Sequence, residues 1–301
     1  MATRKVAIIF VPGIRPKPPS AEQQEQLRRC LAKALASARA SKEEAADIID
    51  AFHVVGWSHA FYGQHSDITV DLPGIERLLS GTDNAEEDSR EALSLGRRVT
   101  AFFYSLADRF PTLTSIFATR RMKTRVAEIK DYFQDADGKA SGARSMLAAA
   151  LGAAWANEQH VLLIGHSFGS VIAYDTFWEL SRQETVAGKV DLFLSMGSPL
   201  TMRYIRRRLK GAHCSGSERY PSNIKRWLNL AAIGEVTALD RRLADRFADM
   251  RDSGLVTAIS DNLSLVNQFR GPDGLNVHKC YGYMASPTVA KELLDWYRAV
   301  V

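Results

Sequence analysis

Cysteine is scarce in this chain of 301 residues: Cys30, Cys214 and Cys280 are an odd number, far apart and without a C-x-x-C pair. That spacing argues against a disulfide framework and a cysteine-ligated zinc site, and it fits a reducing, cytoplasmic compartment. No uninterrupted apolar run reaches the ~18 residues of a membrane span, so a soluble protein is expected. The N-terminal run from Lys5 to Val11 stops at Pro12-Gly13 with no small-residue cleavage site, and it reads as a buried strand, not a signal peptide. Low-complexity tracts and internal repeats are missing too, which argues against disordered and solenoid classes. Histidines and carboxylates fall at no metal-ligand spacing. The grouping His53, His59, His65, Asp67 and Asp71 matches no known pattern, so neither a metal nor a cofactor is expected.

Charge of one sign is only mildly in excess, at +5, but it is concentrated locally. Arg203, Arg206, Arg207, Arg208, Lys210, Arg219, Lys225 and Arg226 are opposed within their stretch by Glu218 alone. Interleaved aromatics are too few for a nucleic-acid surface, and no nucleic-acid partner is expected. The cluster reads as a solvated helix face and loop, with a weak anionic-surface contact through Arg203 to Arg226 as the alternative.

Apolar runs of strand length recur at 6–11, 52–57, 161–164, 192–196 and 224–230, separated by segments of helical spacing. That alternation implies parallel strands joined by crossover helices, a mostly parallel central sheet in one α/β domain over 1–301. Good helix formers fill 22–40, between the first two strands. Near the end, Ser286 reads as an N-cap and Pro287 as the first helical residue, ahead of a stripe of Val289, Leu293, Leu294, Trp296 and Val300. Residues 80–142 read as a helical insertion. Leu95, Val99, Phe102, Phe103, Leu106 and Phe110 recur there at roughly helical spacing, either as core or as a lid over an acyl site, with Phe102, Phe103 and Leu106 as candidate substrate contacts.

The most informative stretch is Gly165-His166-Ser167-Phe168-Gly169, placed after Val161-Leu162-Leu163-Ile164 and before Ser170-Val171-Ile172-Ala173-Tyr174. A serine nucleophile needs its hydroxyl held out of a sharp strand-to-helix turn, and small residues on both sides let the flanking elements approach. Its hydroxyl is a poor nucleophile until a histidine takes its proton and a carboxylate fixes the imidazole tautomer. Two histidines follow Ser167. His213 comes before the fifth strand, too early for a serine, acid, histidine order; His278, just before the last helix, is the candidate base. Glu235 and Asp240 both follow that strand and qualify as the acid, with Glu235 preferred because it is nearer the strand end. Oxyanion donors are expected from the N–H groups of Phe168, after the nucleophile, and Ile14, in the loop after the first strand. Asp175 and Asp191 read as solvated or structural, His166 as packing and local hydrogen bonding, and Ser198 as a turn-forming serine.

These residues resemble the α/β-hydrolase superfamily, and within it the lipase-like serine hydrolases. Gly165 to Gly169 looks like their elbow, Met196 to Leu200 like their Gly-Ser-Pro strand end, Trp227-Leu228-Asn229 with Glu235 like their acid-bearing strand, and His278 with Tyr281 like their histidine loop. Pro12-Gly13 stands where members commonly have His-Gly, and Glu235-Val236 where they commonly have Asp-Pro-Val. The resemblance implies hydrolysis of small-molecule or lipid esters through an acyl-enzyme, without a cofactor. Two alternatives use the same residues: acyl transfer to an acceptor other than water, and a silent fold serving as a protein- or membrane-surface module.

Overall fold

A strand buried on both faces reads as a continuous apolar run, and Val6–Val11 (β1) is such a strand. Ile8 and Phe10 enter one core layer, while Ile9 and Val11 enter the other. The computed structural model describes residues 5–81, 85–94, 120–183, 188–235 and 242–301. β1 pairs in parallel with Phe52–Val54 (β2) on one side and His160–His166 (β3) on the other. Val190–Met196 (β4), Ile224–Ala232 (β5) and Ala258–Leu265 (β6) extend the sheet, in the order β2-β1-β3-β4-β5-β6 with every pairing parallel. This is an α/β architecture, compatible with a Rossmann-like or an α/β-hydrolase fold.

Helices cover both faces because parallel neighbours need crossovers. On one face Ser20–Ser37 buries Leu27, Cys30, Leu31, Ala34 and Leu35 at helical spacing. Pro287–Val300 packs beside it through Val289, Leu293, Leu294 and Trp296, and the Ser286 hydroxyl accepts from the Thr288 N–H at 3.3 Å, the cap expected of it. The other face is covered by Gly169–Leu180 and Lys139–Ala156. Cys30 and Cys280 are buried free thiols, and burial pushes Cys30 up to about 12. Among the described residues no helix is long and apolar enough to cross a membrane.

Two elements differ from the sequence reading. The second strand ends at Val54 instead of reaching Trp57, which starts a helix, Trp57–Tyr62. The Trp57 indole donates to the Pro12 carbonyl at 2.9 Å, so its place is set by the loop after β1. A sixth strand, β6, carries Ser260, Asp261, Asn262 and Ser264, and an edge position with one neighbour tolerates that polarity. Asp261 also has specific partners: its carboxylate accepts from Asn229 Nδ2 at 2.8 Å and from the Leu243 and Ala244 N–H groups at 3.0 Å.

The described parts of 80–142 are helical: Ala85–Ala92, Arg120–Gln134 and the start of Lys139–Ala156. The boundary at 142 falls inside a core helix, since Ala140, Ala143, Leu147 and Leu151 are all buried. Phe102, Phe103 and Leu106 lie outside the described residues. The basic segment leaves Arg203, Arg207, Arg208, Arg219, Lys225 and Arg226 exposed. Within it Lys210 pairs with Glu179 at 3.2 Å and Lys225 with Asp191 at 2.6 Å.

Asp175, on the elbow helix, is buried and structural, which excludes the solvated alternative. Its carboxyl accepts from the Tyr132 hydroxyl at 3.0 Å and the Lys210 N–H at 2.8 Å, and burial pushes its pKa up from 3.8 to about 7. The folded state therefore holds a proton that the unfolded chain has released, so this contribution is full below pH ~4 and lost as pH rises through about 7. Asp175→Asn is expected to remove that part of the pH dependence. In urea unfolding, the stability of wild type relative to Asp175→Asn should fall between pH 5 and pH 8; a difference independent of pH would refute the assignment.

Candidate active site

The sheet reverses its winding between β1 and β3, and loops leaving the carboxyl ends of two such strands diverge to open a crevice. Ser167 sits there, in the turn between β3 and the helix Gly169–Leu180. Its φ is +54°, in the left-handed region that a non-glycine residue occupies at a cost. Three bonds hold it: the Ser167 N–H donates to the Met196 carbonyl at 2.8 Å, Ser170 Oγ donates to the Ser167 carbonyl at 2.6 Å, and Ser198 Oγ lies 2.6 Å from Ser170 Oγ. Ser198 is thus a turn-former, as its sequence context suggested. A Cβ at Gly169 would lie 2.1 Å from the Val11 carbonyl oxygen, so only glycine lets the elbow helix approach β1 this closely.

The structure brings Ser167, His278 and Glu235 into one hydrogen-bonded chain. His278 Nε2 lies 2.8 Å from Ser167 Oγ, and His278 Nδ1 lies 2.9 Å from Glu235 Oε2. A carboxylate can only accept, so Nδ1 carries the proton toward Glu235 and Nε2 presents a lone pair to the serine hydroxyl. Glu235 follows β5 directly, and its side chain is 1% exposed. Asp240, the alternative acid, lies outside the described residues. His213 is exposed and takes no part in the chain.

Four supporting residues escaped the sequence reading or were underread. Asn267, almost fully buried, donates its Nδ2 to the Val277 and Lys279 carbonyls, both at 2.9 Å, and so clamps the chain on either side of His278. His166, expected to do local hydrogen bonding, reaches across the site: its Nε2–H donates to the His278 carbonyl at 2.8 Å. Burial, helped by the nearby His278, pushes the His166 pKa well below the ordinary histidine value and keeps it a neutral donor. Tyr283 accepts from the Ala232 N–H at 2.9 Å and donates to Glu235 Oε2 at 3.2 Å, fixing the carboxylate. Gly197 has φ +55°, and a Cβ there would stand 3.0 Å from Glu235 Oε2, 3.1 Å from His278 Nδ1 and 3.2 Å from Tyr283 Oη.

That crowding makes Gly197→Ala a test of the geometry. The methyl is strained by ~1–2 kcal/mol and wedges against the histidine–carboxylate bond, so the ester turnover that the resemblance implies should drop about a hundredfold while the protein still folds. Steady-state kinetics beside a thermal melt check this. A folded variant with wild-type turnover would show that the bond has no bearing on activity.

The loop after β1 forms the opposite wall. A Cβ at Gly13 would come within 2.7 Å of Ser167 Cβ, so this backbone runs directly against the serine. The loop is anchored by the Trp57 bond to Pro12, by the Arg15 N–H donating to Tyr62 Oη at 2.9 Å and by Lys17 Nζ donating to the Ile14 carbonyl at 2.7 Å. Arg15 itself is held at φ +81°. Among the described residues neither the Phe168 N–H nor the Ile14 N–H has a hydrogen-bond partner. Of the grouping around His53, His59 and His65 stack at 4.2 Å between ring centres, and among the described residues no three His, Cys, Asp or Glu side chains are placed to hold a metal. No family model, no curated protein and no solved structure matches this chain.

Proposed function

We propose that the protein is a serine hydrolase of the α/β-hydrolase kind that cleaves carboxylic esters with an apolar acyl group. One observation carries the reading: a serine strained into the turn between β3 and its helix, bridged by a histidine to a buried carboxylate. Three further features support it. The chain order is serine, histidine-orienting acid, histidine, with each residue after a different strand. The first turn reads Pro12-Gly13-Ile14-Arg15-Pro16 and lacks the glycine-rich fingerprint of dinucleotide-binding folds. Partly buried Ile14, Phe61, Tyr62 and Phe133 supply apolar surface on the side of the core that contains Phe168.

In this mechanism Ser167 Oγ attacks the ester carbonyl and its proton passes to His278 Nε2. Glu235 stabilises the imidazolium, and the Phe168 and Ile14 N–H groups receive the oxyanion. Collapse expels the alcohol, which takes the proton from Nε2 and leaves an acyl-Ser167. Water, deprotonated by the same Nε2, then attacks the acyl carbon; the bond to Ser167 Oγ breaks, the carboxylic acid leaves, and the Nε2 proton returns to Oγ. Transfer to another acceptor differs only in what enters at this second step.

A fluorophosphonate probe tests the proposal, because Ser167 Oγ would displace fluoride and bond to phosphorus. The expected result is one adduct on the peptide containing Ser167, abolished in Ser167→Ala and strongly slowed in His278→Ala. A folded wild-type protein that resists the probe would end the hydrolase reading and leave the binding-module alternative.

A further inference from the structure

Beside the oxyanion loop lies a cavity of about 210 Å³ that the proposed ester chemistry does not use. Pro12 and Lys17 line it from the loop, Ser20 and Gln23 from the first turn of the helix Ser20–Ser37, and Ser58, His59 and His65 from the segment after β2. Its polar lining consists of donors or groups able to donate, and no carboxylate lines it.

Gln23 is the informative residue. It is 2% exposed, lines the cavity, and its amide has no hydrogen-bond partner among the described residues. Its amide atoms are not sealed from solvent, so they face the open space of the cavity and are available to a ligand there. The other groups have donors to spare. Ser58 Oγ accepts from the Lys17 N–H at 3.3 Å, which leaves its own proton for the cavity, and Lys17 Nζ has two hydrogens beyond the one given to Ile14. Helix Ser20–Ser37 starts there with no side-chain cap, so its first-turn N–H groups add partial positive charge. Burial lowers the Lys17 ammonium to about 8, with Cys280 and Asp71 acting to raise it and Lys279 and Arg15 to lower it.

We propose that this cavity binds an oxyanion of the phosphate class, held by the Lys17 ammonium, the Gln23 amide and the Ser58 hydroxyl, with His59 and His65 at its mouth. A tetrahedral oxyanion matches several donors converging from three segments. Because Lys17 also holds the Ile14 carbonyl, an occupant would bear on the loop that faces Ser167.

Inorganic phosphate is the probe, titrated into Ser167→Ala protein at fixed ionic strength with chloride as control. Binding is thus read without activity and stands apart from the ester-hydrolysis reading. A rise in melting temperature of about 2–4 °C is expected at ten times the dissociation constant. Gln23→Leu and Lys17→Met should each weaken binding about tenfold or more in calorimetry. Gln23→Leu removes only an unpartnered amide, so it remains a folded test if Lys17→Met does not fold. No shift beyond chloride, or equal affinity in the Gln23→Leu protein, would overturn the site. In wild type, a phosphate-bearing ester with a lower KM than its neutral analogue, a preference lost in Gln23→Leu, would assign the oxyanion to the substrate. An effect of free phosphate on turnover of the neutral ester would instead assign it to a separate ligand.

Discussion

Replacing Ser167 by alanine is expected to lower turnover of short p-nitrophenyl esters by on the order of 10⁶-fold, to the background of the assay. The effect should be this large because His278 and Glu235 act only through the Ser167 hydroxyl and retain no independent chemistry once it is gone. Stability should hardly change. Alanine keeps the Cβ, and the backbone bonds from Ser167 N–H to Met196 and from Ser170 Oγ to the Ser167 carbonyl remain. The one bond lost, to His278 Nε2, is worth ~0.5–1.5 kcal/mol. Circular dichroism and a thermal melt establish that the variant is folded, and near wild-type turnover by such a protein would remove the mechanism.

A comparable loss, again on the order of 10⁶-fold, is expected for His278→Ala, since the serine proton then has no acceptor. His213→Ala should stay close to wild type, because His213 is exposed and outside the hydrogen-bonded chain. Glu235→Gln belongs to the same series: the fold survives, but the imidazole no longer has a carboxylate to hold its tautomer, and turnover should fall about 10⁴-fold. The three variants are compared by initial rates on one ester. A damaging His213→Ala with a mild His278→Ala would mean that the base lies elsewhere, whatever the distances.

The elbow serine and the outer frame were legible from local pattern. A strand-length apolar run, a glycine-flanked serine and an apolar helix identify the elbow within fifteen residues or so, because strand and helix periodicities and close packing are short-range properties. β1 and the Ser286-capped terminal helix were read for the same reason. Only the tertiary structure decided that Glu235 meets His278, 43 positions away, and that Ser167 meets it across 111. The same holds for Asn267, Tyr283 and His166, whose polar side chains look like ordinary loop or helix residues until the fold carries them to the histidine. Trp57 read as strand because its apolar neighbours continue the run, and a bond to Pro12, 45 positions earlier, turned it into a helix start. β6 went unread because an edge strand meets the sheet on one side and need not be apolar throughout. Sequence periodicity reports which face of an element is buried; which side chains then meet depends on strand order and register, which no single segment contains.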